Sequence, residues 1–191
     1  MLVFLDTEFT DFIECELISL GLVAEDGTQF YAEVQDFDRE KCNQFVRAAV
    51  WSVLGQIEGA SVARAALPAR LCAWFASLPD SVTVAADSFT DWELLLDVLD
   101  GERPPNLAGR YDLRELASNA AFQQAVATYH GQPGHPWHHA LHDAMALRAG
   151  WLAVNAATGI APPQAEERSL ALHRRVAEKL RAWSRLIFIL I

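Results

Sequence analysis

Two acids, Asp6 and Glu8, follow the unbroken apolar run Leu2-Val3-Phe4-Leu5. In an extended strand residues i and i+2 share a face, so both carboxylates point the same way, with roughly 7 Å between their Cα atoms. At the end of a buried strand such a pair loses hydration and repels itself. It stays ionised at neutral pH only with a cation between the two groups. The chemistry to look for is therefore a cation seat, and the rest of the chain must supply what completes it.

Asp143 shares a small apolar helical stripe with Ala140, Leu147 and Gly150. A carboxylate there is buried and unpaired unless something binds it. Asp91 opens another helix on the same face as Leu94, Leu95 and Val98, while Glu93 and Asp97 fall on a solvated side. Asp87 and Asp91 flank Ser88-Phe89-Thr90, and either can face the site; the helix dipole alone would also favour an acid at that start. His138 stands five residues before Asp143, where a breaker-rich loop meets a helix. A histidine there suits a general base acting on water. His130, His135, His139 and His142 crowd the same region. His138 and His142, four apart, have a zinc-ligand spacing. The Glu of a His-Glu-x-x-His site is absent, however, and zinc would leave Asp6 and Glu8 unexplained. His135, His139 and His142 are read as loop and surface residues.

These groups need a sheet with helices to hold them. Strands are predicted over 2–9, 16–25 and 29–34, with Asp26-Gly27 as a hairpin turn, which makes an antiparallel meander. In the third strand Phe30, Ala32 and Val34 take one face and Tyr31 and Glu33 the other. Helices follow over 44–54 and 63–78, then a β-branched strand over 81–86. A helix over 91–99 is capped by Thr90, and a short strand runs over 107–113. Further helices are predicted over 115–129, 139–155 and from 166 onward, with breakers at 131–136 and at Pro162-Pro163. This order makes a mixed sheet with helices on its faces.

The chain has 191 residues, 52% of them hydrophobic, which suits one cored domain with an extension and excludes a disordered protein. A formal net charge of −10 argues against a basic nucleic-acid coat protein. It does not argue against a nucleic-acid enzyme in which bound cations supply the positive charge. No Lys or Arg precedes Arg39, whereas Arg168, Arg174, Arg175, Lys179, Arg181 and Arg185 cluster late, either as a solvated helix face or as a patch that tracks a phosphate chain. Three widely spaced cysteines read as reduced thiols of a cytoplasmic protein. The first apolar run is not a signal peptide, and 186–191 is too short to span a bilayer.

Asp6-Thr7-Glu8, then Asp91 in Asp87-Ser88-Phe89-Thr90-Asp91, then His138-His139-Ala140-Leu141-His142-Asp143 resemble the three motifs of the DEDDh 3′–5′ exonucleases: Asp-x-Glu, a helix-opening Asp, and His-x-Ala-x-x-Asp. That superfamily includes ribonuclease T, oligoribonuclease and the polymerase proofreading subunit. The opening Asp6-Thr7-Glu8-Phe9, with Glu16-Leu17-Ile18-Ser19-Leu20-Gly21 and Glu25-Asp26-Gly27, looks closest to a compact stand-alone exoribonuclease branch. Where relatives carry His-Asn before the second motif, this chain has Ala86-Asp87.

The resemblance implies a ribonuclease H-like α/β fold, a mixed five-stranded sheet with helices on both faces. It implies an exonuclease domain over 1–160 and a helical extension over 161–191, packed on that domain or on a second subunit. Asp6, Glu8, Asp91 and Asp143 would hold two Mg²⁺ or Mn²⁺ ions, as hard oxygen ligands favour, and His138 would activate the attacking water. The substrate would be a single-stranded RNA 3′ end or overhang, the product a nucleoside 5′-monophosphate, and the assembly a homodimer. Thr7 would touch the terminal ribose, and Phe9 and Trp92 are the aromatic residues on offer to terminal bases. Two other readings stand beside this one: a DNA exonuclease, and a non-catalytic module that keeps the fold. The second sits poorly with the presence of all four acids and the histidine.

Overall fold

The computed structural model describes residues 1–79 and 81–158. The predicted C-terminal helix, the 161–191 extension and the basic cluster from Arg168 to Arg185 lie outside the described residues.

The sheet is mixed, with strand order β4-β3-β2-β1-β5-β6. β1 (Leu2–Phe9), β2 (Leu17–Ala24) and β3 (Gln29–Val34) form the expected antiparallel meander. The two-residue β4 (Ser61–Val62), which the pattern did not reveal, adds a sixth strand parallel to β3. β5 (Val82–Ala86) and β6 (Leu107–Asp112) extend the sheet in parallel beyond β1. β1 is thus central, and its C-terminal end opens beside that of β5.

The alternation along β1 divides the core. Val3 and Leu5 pack with α2 (Leu67–Ala76) and α3 (Phe89–Leu99). Leu2 and Phe4 face α4 (Ala120–His130) and α5 (Ala140–Thr158), where Phe4 meets Trp151 with ring centroids 5.7 Å apart. Helices therefore cover both faces, and Asp6 and Glu8, in step with Leu2 and Phe4, emerge on the α5 side.

Several predicted boundaries move for local reasons. The helix expected over 44–54 is α1 (Gln44–Ala49), capped by the Asn43 side chain, followed by a 3-10 turn, Trp51–Val53. The 63–78 helix begins with a 3-10 turn, Arg64–Ala66, before Pro68 opens α2. The cap of α3 is Ser88 rather than Thr90, because the Ser88 hydroxyl accepts from the Thr90 N–H and the helix starts at Phe89. The helix expected over 115–129 is split by Asn119, whose side chain caps α4.

Gly21 decides how closely α5 approaches. It pairs with Asp6 across β1 and β2, and a Cβ placed on it would run into the carbonyl of Ala140, the first residue of α5. Backbone on both sides of that contact leaves no flexible side chain to yield. A Gly21→Ala substitution should displace the start of α5, cost about 1–3 kcal/mol of stability and weaken divalent-cation binding. Denaturant unfolding and a Mn²⁺ titration check this; wild-type values in both would contradict the packing.

Candidate active site

The β1–β5 register brings two of the acids together. Phe4 pairs with Ala85, so two residues further along these parallel strands Asp6 lies beside Asp87. β5 then turns into α3 through Ser88, and Asp91 falls in the first helical turn, where the helix dipole favours an anion. Asp91 is buried, 3% exposed, and accepts a 2.6 Å hydrogen bond from the Thr7 hydroxyl. Thr7 points to the opposite face of β1 from Asp6 and Glu8, so it ties the second motif to the first through the strand. From the other side, α5 carries Asp143 down onto the same strand end.

The result is two groups of three carboxylates that share one member. Ligand oxygens of Asp6, Asp87 and Asp91 lie within 4.8 Å of one another, and so do those of Asp6, Glu8 and Asp143. The structure brings together all four predicted ligands and adds Asp87, which the spacing had left as an alternative to Asp91. Among the described residues, neither group close enough to hold a metal contains a histidine, which leaves the zinc reading without a site.

Electrostatics fit a cation there. Burial, then the charges of Asp91, Asp143, Glu8 and Asp87, push the Asp6 carboxyl well above the usual carboxylate range. Burial, followed by Asp143 and Asp91, raises Glu8 to about 8. Asp91 reaches about 7, raised mainly by burial and held back by the Thr7 hydrogen bond. Asp143 also reaches about 7 through burial, against hydrogen bonding from the backbone of His139 and His138. Asp143 Oδ2 is out of solvent and has no hydrogen-bond partner among the described residues. Hard oxygens, crowded like charges and an unpartnered carboxylate oxygen suit Mg²⁺ or Mn²⁺.

The histidines sort differently from the sequence reading. His138 sits at the loop–helix junction with φ +60°, and its ring stands edge-on to the exposed Phe45 at 4.9 Å. A non-glycine residue held in the left-handed region is strained, a feature found repeatedly at functional positions. His139, expected at the surface, is 1% exposed and stacks on Tyr31 at 4.6 Å, because α5 presses its first turn onto β2 and β3. His130 was assigned no role from sequence. It lies with Nε2 3.2 Å from Asp143 Oδ1, Nδ1 3.2 Å from the His135 carbonyl, and its ring stacked on Trp137 at 3.8 Å. It touches the oxygen of Asp143 opposite the unpartnered one. No motif spacing could have revealed this, since a loop closes the contact.

Of the residues offered to substrate, Trp92 is corrected. It is 6% exposed and packs in the α3 core, because the inward arc of that helix is wide enough to take Trp92 as well as Asp91. Phe9 is half-buried against the same core and meets the 81%-exposed Phe12 edge-on at 5.1 Å. Thr7 is buried and its hydroxyl is committed to Asp91, which leaves only its main chain for a ligand.

No protein-family model matches the chain. A 3′–5′ exoribonuclease of Mycobacterium tuberculosis is 50% identical over 48 residues, which is 25% of this chain and 29% of that protein. The match thus spans less than a third of the relative. Among solved structures the fold is similar to that of cell-death related nuclease 4, with TM-score 0.58 and 15% identity over 83% of this chain and 64% of that one. The Mg²⁺- and Mn²⁺-bound form of S. pombe Pop2p gives 0.56 and 13% over 81% and 82%. A 3′-exonuclease described in 3′-end recognition of a histone mRNA stem-loop gives 0.56 and 14% over 83% and 82%. These likenesses establish the ribonuclease H-like fold.

The raised carboxyl pKa values have a consequence for the metal-free protein. A group whose folded pKa exceeds its unfolded value stabilises the fold fully only below the unfolded pKa, and that contribution is lost as pH rises through the folded one. The carboxyl contribution therefore falls between about pH 4 and 8. Burial lowers the pKa of His130, His139 and His142, so they act oppositely, but only below their unfolded pKa near 6.5. In EDTA the melting temperature should drop from pH 6.5 to pH 8, and Mg²⁺ or Mn²⁺ should raise it more at pH 8. A flat or rising EDTA profile over that window would contradict the site's electrostatics.

Proposed function

We propose that this chain is a metal-dependent 3′–5′ exonuclease of the DEDDh type that acts on RNA. One observation carries the reading: two carboxylate triads share Asp6 at the open end of β1. That arrangement suits two divalent ions, one held by Asp6, Asp87 and Asp91 and the other by Asp6, Glu8 and Asp143. When bound, such ions stabilise both the attacking and the leaving oxygen of an in-line displacement at phosphorus.

The chain's own groups do the rest. Asp6, Glu8, Asp91 and Asp143 fix where the phosphate can sit, and the α3 start and the Thr7 hydrogen bond hold Asp91 rigidly. His138 accepts the proton of the attacking water. Its ring stands edge-on to Phe45, at the loop–helix junction five residues before Asp143. The P–O bond to the 3′ oxygen of the preceding nucleotide breaks, that oxygen takes up a proton, and the terminal residue leaves as a nucleoside 5′-monophosphate. The M. tuberculosis relative, a 3′–5′ exoribonuclease 50% identical over 48 residues, supports RNA as the substrate.

A time course on a 5′-labelled single-stranded RNA and its DNA counterpart, with Mg²⁺, Mn²⁺ or EDTA, tests this. RNA should shorten from its 3′ end in either metal, and not in EDTA or with Asp6→Ala. His138→Ala should slow it about 10²–10⁴-fold while leaving metal binding in place. Faster loss of the DNA strand would transfer the assignment to a DNA exonuclease, and no cleavage of either strand would overturn it.

A further inference from the structure

Asp143 is held by one of its two oxygens. Oδ2 is out of solvent with no hydrogen-bond partner among the described residues, while Oδ1 lies 3.2 Å from Nε2 of His130. The backbone of His138 and His139 also donates to this carboxylate, and with Oδ2 unpartnered those bonds fall on Oδ1 as well. What fastens Asp143 thus leaves Oδ2 for an ion shared with Asp6 and Glu8.

His130 is itself fixed. It is the last residue of α4, and its side chain is 1% exposed. Nδ1 lies 3.2 Å from the His135 carbonyl. A carbonyl only accepts, so Nδ1 carries a hydrogen and Nε2 is the nitrogen left to face Asp143. One proton held between Nε2 and Oδ1 closes that contact. The ring stacks on Trp137 at 3.8 Å and meets Tyr129 edge-on at 5.4 Å. The loop behind it is fastened to the end of α4. The Gly131 N–H bonds the Ala127 carbonyl, the Gln132 N–H that of Tyr129, and the His135 N–H that of Gln132. The His135 ring stacks on Tyr129 at 4.2 Å, with its Nδ1 3.0 Å from the Tyr129 carbonyl.

Packing alone does not call for an imidazole here. Burying a polar ring costs free energy unless its nitrogens are paired, and a phenyl ring would stack on Trp137 without that cost. Nε2 has no hydrogen-bond partner elsewhere among the described residues, so the group it serves is Asp143. Carboxylates that ligate metals are oriented by the groups that hydrogen-bond them. His138 stands apart from this arrangement, with its ring against Phe45.

We propose that His130 is a positioning residue for the metal site: it holds Oδ1 of Asp143 so that Oδ2 is presented to the ion bound with Asp6 and Glu8. This rests on the two-metal reading. His130 acts through Asp143, and therefore on one ion of the two; Asp87 and Asp91, which hold the other with Asp6, lie on a different element.

Two substitutions in the full chain separate positioning from packing. His130→Phe keeps a ring against Trp137 and removes the contact to Oδ1. His130→Gln loses the ring and keeps an N–H within reach of Oδ1. Mn²⁺ is titrated by calorimetry into each metal-free protein, and each is melted in EDTA. In His130→Phe one of the two wild-type binding steps should weaken about 10–100-fold and the other should stay. His130→Gln should recover most of that loss. In EDTA His130→Phe should melt no lower than wild type. Trp137 is 52% exposed, so Trp137→Ala leaves the core in place, and it should weaken the same step in the same direction. Wild-type affinity at both steps in His130→Phe overturns the proposal. So does a loss that His130→Gln does not lessen, or one that strikes both steps together with a lower melting temperature. Absence of Mn²⁺ binding by the wild-type chain overturns the two-metal reading and the proposal with it; two wild-type steps that His130→Phe leaves intact remove the proposal alone.

Discussion

Like charges crowded together at one partly buried strand end govern this structure. Asp6, Glu8, Asp87, Asp91 and Asp143 converge at one strand end, and burial combined with their mutual repulsion works against ionising them together. Each pKa unit by which a carboxyl is raised corresponds to about 1.4 kcal/mol. A fold whose whole margin is of the order of 5–15 kcal/mol tolerates several such groups only if something rigid holds them and protonation or a cation relieves them.

The rigidity comes from three sides of β1. From β5, parallel register sets Asp87 beside Asp6 and launches α3 so that Asp91 sits in its first turn. Through the strand, Thr7 reaches back to hold Asp91 from the opposite face. From above, the missing side chain of Gly21 lets the first turn of α5 settle on the sheet opposite Asp6, and Asp143 arrives with it. None of these supports carries the chemistry, yet each fixes where an acid can be. The apolar division of β1 is what makes the arrangement possible, since one face anchors α3 and the other α4 and α5.

Most of this was legible because it is periodic or local. The alternation in β1 put Asp6 and Glu8 on one face, the Asp26-Gly27 turn announced the meander, and the helical stripe around Asp143 marked a carboxylate in need of a partner. What escaped depends on contacts between distant residues. Thr7 and Asp91 are 84 residues apart and meet only because β1 and β5 are neighbours. Gly21 looks like any strand glycine until α5 is placed on it. His130 reaches Asp143 only because the 131–136 loop folds back. Trp92 misled because a residue beside a site acid in sequence need not be beside it in space. On a helix with a wide apolar arc, both turn inward, one to the site and one to the core.

The most direct measurement is a calorimetric titration of Mn²⁺ into the metal-free protein near pH 7.5, run in buffers of different ionisation enthalpy so that proton release is counted with the ions. Two ions per chain, bound with release of protons from the raised carboxyls and reduced to at most one by Asp6→Asn, is the result this account predicts. Absence of binding, or binding that neither releases protons nor depends on Asp6, would contradict it.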